Sequence, residues 1–158
     1  MDAILQHTHN ILRWLVVLFG LLSLFTGLRG LSGKRNFTDG DKRTAFFFLI
    51  SCDLQLLIGL ALYFTKGYFR NFSGGNMGAV MKDGIMRFWT VEHFIGMLIA
   101  IIIVHIGYSG TKGSRPHAAK FRRLFWCSLI ALILIALMVP WPFRAPGIGR
   151  PWVPGMGV

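Results

Sequence analysis

The chain has 158 residues, 54% of them hydrophobic and 15% charged, with a mean hydropathy of +0.57. Soluble domains carry roughly 25% charged residues, so the composition argues against a water-soluble globule, and this much apolar content excludes disorder. Seventeen Lys and Arg against six Asp and Glu give a formal net charge of +11, but most of these bases lie between apolar blocks, where they set topology and meet anionic headgroups rather than nucleic acid.

The first apolar block covers residues 11–28, with helix predicted over 3–29. Only Arg13 precedes its centre and no small-x-small cleavage site follows, so it reads as a retained span and not a signal peptide. The second helix is predicted over 44–65, the third over 84–110 and the fourth over 120–140, where Pro140 and Pro142 stop it. Each block approaches the roughly 20 residues that cross a bilayer, and none alternates as a barrel strand would. The expected fold is therefore all-α, an up-down four-helix transmembrane bundle over 1–141, followed by an extended Pro/Gly-rich tail over 142–158.

Loops one and three share one side and hold ten basic residues, against seven on the other side, in shorter segments. The positive-inside rule then places both termini and loop two outside. Loop two carries Tyr68, Phe69 and Phe72 before a Ser73-Gly74-Gly75-Asn76 run, a candidate membrane-surface or docking segment. Cys52 and Cys127 lie inside apolar blocks, so no disulfide framework is expected, and without C-x-x-C-H there is no covalent haem attachment. No Walker A, G-x-S-x-G or H-E-x-x-H motif occurs.

Ionisable residues inside a span are costly and count as functional candidates. His9 and His93 fall in the first turns of helices one and three, which cross in the same direction, so the two imidazoles share one depth. In an up-down bundle these helices are diagonal, and two histidines so placed can clasp one flat metal macrocycle. Gly20 and Gly27 lie within about 20° of His9 around the helix, and Ala100 within about 40° of His93. Such a stripe makes room for a porphyrin or lets helices approach closely, and the sequence leaves both readings open. His7, about 160° from His9, is assigned to the interface. Arg13, one turn deeper than His9, is expected to pair with Glu92 or to meet a haem propionate. His105 is about 120° away from His93, a poor spacing for a second haem. With Asp53 and Gln55 it forms a candidate quinone or proton site, or an interhelical hydrogen bond.

Three stretches carry a family resemblance: His9-Asn-Ile-Leu-Arg-Trp, Gln55-Leu-Leu-Ile-Gly-Leu-Ala-Leu-Tyr-Phe64, and Met81-Lys-Asp through Arg87-Phe88-Trp-Thr-Val-Glu92-His93. With Lys120-Phe-Arg-Arg before helix four, the chain resembles small bacterial four-helix membrane proteins labelled cytochrome b-like. The resemblance implies a bacterial inner-membrane haem b protein with histidine axial ligands, here His9 and His93 as the metal-binding pair. It also implies electron transfer, alone or as a subunit of a larger redox complex with other membrane subunits as partners. Where a further histidine would be expected near Gln55, this chain has Ser51, Cys52 and Asp53, so one haem is expected and a second is not. The alternative is a non-catalytic structural subunit of a membrane complex without haem.

Overall fold

The structure, a computed structural model, describes residues 2–153. Its main elements are α1 (Asp2–Arg29), α2 (Asp39–Thr65), three short helices in loop two, α3 (Arg70–Ser73), α4 (Met77–Lys82) and α5 (Gly84–Arg87), then α6 (His93–Ser109) and α7 (His117–Met138). A π-helical turn, Phe88–Glu92, joins α5 to α6, so Gly84–Ser109 forms one continuous span. Four helices are thus long and apolar enough to cross a membrane. Residues 154–158 of the tail lie outside the described residues.

Two helix starts differ from expectation by three residues or more. α2 starts at Asp39 and not at 44, because Thr38 and Asp41 form a reciprocal capping box. Asp41 Oδ2 accepts from the Thr38 backbone N–H at 2.9 Å, while its Oδ1 pairs with Arg35 at 2.6 Å. Polar capping residues carry a helix past the end of its apolar run, which hydropathy alone does not register. α7 likewise begins at His117, three residues before the expected start, with Pro116 at its N-cap.

The helices pack as a ring in which α1 meets α2 and α7, and α6 meets α2 and α7. This leaves α1 and α6 on the diagonal, as the sequence predicts. The buried residues of α1 are Asn10, Arg13, Val16, Gly20, Ser23 and Gly27. Those of α7 are Phe121, Leu124, Ser128, Ala131 and Ile135. Both series step by three and four residues, the seam spacing of bundles with knobs-into-holes packing. Large side chains such as Leu18, Leu57, Ile102 and Ile133 are exposed on the outside, as a lipid-facing surface requires.

The small residues of α1 serve this seam. A Cβ at Gly27 would lie 2.6 Å from the Phe125 backbone nitrogen, and one at Gly20 would lie 2.7 Å from Leu132. Between them, Ser23 Oγ and Ser128 Oγ share a buried hydrogen bond of 2.9 Å. Of the two readings left open for this stripe, the packing seen at Gly20 and Gly27 is the close approach of helices, with α7 against both. Ala100 is fully buried in the apolar core with Val104, Ile101 and Leu49.

Candidate functional site

A cavity lies between the four helices at the end of the bundle that carries the N-terminus, loop two and the tail. Its volume is about 130 Å³ and it is partly open to the surface. Each helix contributes to it: His9, Asn10 and Arg13 from α1, Gln55, Gly59 and Tyr63 from α2, His93 and Met97 from α6, and Ile135 from α7.

His9 and His93 meet across this cavity. Their ring centres are 6.4 Å apart, with an interplanar angle of 69°. The diagonal placement of α1 and α6 and the shared depth of the two residues bring them together. Three local features set their orientation.

The first is the end of α7. In a helix, the carbonyls of residues 136 and 138 would accept from the N–H groups of residues 140 and 142, but Pro140 and Pro142 have none. Trp141 N–H turns to Val139 O, so Leu137 O is also left without a helical partner, and the three carbonyls find side chains instead. Ala136 O accepts from Trp141 Nε1 at 2.7 Å, Leu137 O accepts from Arg144, and Met138 O bonds His93 Nδ1 at 2.8 Å. That last bond places the proton on Nδ1 and leaves Nε2 of a neutral His93 as a bare lone pair.

The second feature is the π turn before His93. Its extra residue per turn leaves backbone groups for other partners. Tyr63 Oη donates to Thr90 O at 2.7 Å, and Asn71 Nδ2 donates to Thr90 Oγ1 at 2.8 Å. The start of α6 is thereby tied to α2 and α3.

The third feature is the α2 face opposite His9. Gln55 Nε2 donates to the His9 carbonyl at 3.0 Å. A Cβ at Gly59 would sit 3.0 Å from His9 Cε1, so only glycine lets the ring approach this closely. His9 Nδ1 is buried and has no hydrogen-bond partner among the described residues.

Several sequence expectations are redirected here. Gln55 does not join Asp53 and His105: two residues along a helix turn the side chain by about 200°, so it faces the cavity. Asp53 and His105 do meet, with Nε2–Oδ1 at 3.5 Å, on the α2–α6 surface away from the cavity. Both keep substantial exposure, 33% and 49% of the side chain. The expected Arg13–Glu92 pair does not form, because Glu92 bonds Arg87 at 2.6 Å. Arg13 Nη2 donates instead to the carbonyls of Pro151 and Trp152, at 3.2 and 3.1 Å.

The tail, expected to be extended, folds back over the cavity mouth. Trp14 Nε1 donates to Trp152 O at 2.9 Å, and Trp89 Nε1 donates to Gly147 O at 3.0 Å. Trp14, Trp141 and Trp152 form an aromatic cluster, and Arg150 lies 4.8 Å from the centre of the Trp89 ring. Arg150 and Lys66 line the mouth. Burial, then the nearby Arg150, holds the Lys66 ammonium below its usual range, and burial pushes the Tyr68 hydroxyl up.

The sequence reading missed Gly59, the Met138 carbonyl and the tail strap. The i, i+4, i+8 spacing of Gln55, Gly59 and Tyr63 was the available signal for the α2 face.

The donor set fits a haem iron. Two imidazole nitrogens at about 2.0 Å from one metal ion put their ring centres about 6 Å apart, close to the spacing found. One ring is oriented by a backbone carbonyl and the other has an orphaned buried nitrogen. The enclosed 130 Å³ is nearer to a benzene-sized cavity than to a tetrapyrrole, so the macrocycle calls for the helices to part around it. No protein-family model, curated protein or solved structure matches the chain.

Proposed function

We propose that the protein is a membrane electron carrier, acting alone or as a subunit of a redox complex, that holds one haem b between His9 and His93. The observation that carries this reading is the 6.4 Å separation of the two rings inside a cavity bounded by four apolar helices. The resemblance to cytochrome b-like proteins points the same way.

Bound haem supplies one-electron iron chemistry. The chain's own part is ligation, orientation and exclusion of water. The Nδ1–H of His93 donates to Met138 O, which fixes the ring and raises the basicity of Nε2. Gly59 admits the His9 ring, and Gln55 holds its backbone. The apolar walls would favour the oxidation state of smaller net charge and would tune the potential in that sense. In the proposed setting, a bacterial inner membrane, the positive-inside rule turns this end of the bundle outward.

The test is a reduced-minus-oxidised visible spectrum of the full chain purified in detergent after haem supplementation. A low-spin spectrum that is lost in His9→Ala and in His93→Ala is expected. A colourless chain that co-purifies with other membrane subunits would replace this reading with that of a structural subunit.

A second role is supported by Asp53 and His105. An ionisable pair partly facing lipid is costly unless a polar partner covers it. A quinone headgroup arriving through the bilayer supplies such a partner and accepts or gives protons there.

A further inference from the structure

Arg13 is 4% exposed, in the N-terminal half of α1, and lines the cavity. Nη2 is spent on the two tail carbonyls, but Nε and Nη1 are buried with no hydrogen-bond partner among the described residues. The rings of Trp14 and Trp141, 5.3 and 5.6 Å away, offer their π faces but no acceptor lone pair. A buried guanidinium without a counter-charge is among the costlier arrangements in a fold. The surroundings add to the imbalance. Lys66 and Arg150 also line the cavity, and no Asp or Glu does among the described residues. Glu92, the carboxylate expected from its helix depth to pair with Arg13, is held by Arg87.

We propose that Arg13 is a carboxylate subsite of this cavity, receiving an acid group carried on an apolar ligand body. The free Nε and Nη1 of Arg13 are donors only, and each can give a charge-assisted hydrogen bond to a carboxylate oxygen. The pocket thus joins three cationic side chains to apolar walls, a match for an amphiphilic carboxylic acid. Resting on the tetrapyrrole reading for the ligand's class, the subsite selects macrocycles with free propionates. It does not depend on iron ligation.

The test uses metal-free protoporphyrin IX, which cannot be ligated through iron, and its dimethyl ester. Each is titrated into the full chain in detergent micelles, and binding is read by quenching of tryptophan fluorescence. The diacid is expected to bind about tenfold tighter than the ester, the scale of a charged hydrogen bond. Arg13→Gln is expected to remove that margin, and Arg13→Lys to keep part of it. Equal affinities on the native chain, binding of neither compound, or an unchanged margin in a folded Arg13→Gln would overturn the proposal. Displacement of the diacid by equimolar oleate would overturn the tetrapyrrole assignment in favour of a fatty acid. If iron protoporphyrin gives no low-spin spectrum while the diacid still outbinds its ester, the electron-carrier reading fails and the Arg13 subsite stands.

Discussion

Gly59 of α2 stands against the His9 imidazole of α1, so that a methyl group at position 59 would come 3.0 Å from His9 Cε1. Gly59→Ala therefore forces the ring to shift by a few tenths of an ångström. The same change raises helix propensity by about 1 kcal/mol. The expected outcome is a split: an unchanged or higher melting temperature in detergent, with haem affinity several-fold weaker. A haem titration beside a thermal melt checks it, and equal affinity for the two chains would show that His9 has no fixed position to lose.

Ser23 and Ser128 bond each other where α1 crosses α7, and both are essentially sealed from solvent. Removing one hydroxyl leaves the other unpaired, so each single Ala variant should lose about 1 kcal/mol. The double variant should lose less than the sum, with a coupling near the ~0.6 kcal/mol typical of such pairs in membrane helices. Equilibrium unfolding in mixed micelles measures this cycle. Gly27→Ala should cost more, roughly 1–3 kcal/mol, since its Cβ would meet the Phe125 backbone rather than a flexible side chain.

Asp53 and His105 sit apart from the histidine cavity. Asp53→Asn should leave the haem spectrum unchanged and slow haem reduction by a water-insoluble quinol analogue by about a hundredfold, the lower range for a lost acid–base group. Stopped-flow absorbance reads the rate. Quinol-driven reduction at the native rate would reduce the pair to a fastening between α2 and α6.

Lys66 gives a pH signature. Its ammonium is disfavoured in the fold by burial first and Arg150 second, with Asp2 opposing, so the folded value lies below the ordinary 10.5. Between those two values the unfolded chain holds more protons. Stability should therefore rise with pH through that window and level off above 10.5. Melting curves of the native chain and Lys66→Gln, compared from neutral pH upward, should converge in the alkaline range. A gap that does not change with pH would contradict the assignment.

Much of this was legible from residue order. Continuous apolar runs announced four spans, and counting from their ends put His9 and His93 at one depth. The break after α7 was visible in Pro140 and Pro142. The consequence of those prolines was harder to read: Pro142, having no N–H, leaves free the Met138 carbonyl that orients His93. Capping residues hid the true start of α2, because caps act through hydrogen bonds and leave no mark on hydropathy.

One-dimensional information determined the number of long apolar helices and the level of each polar side chain along them, because such helices are set by the cost of exposing polar groups to lipid and by a constant rise per residue. Tertiary structure alone decided what each helix face meets. A helical wheel groups Gly20, Gly27 and His9 on one stripe, but the stripe is shared between neighbours: α7 fills the glycines while α2 and α6 surround the histidine. It also decided that Arg13 bonds carbonyls 138 and 139 residues away and not Glu92, which Arg87 holds. A buried guanidinium takes whatever acceptor the packed chain brings within about 3 Å, and that follows from the docking of the tail rather than from any local pattern.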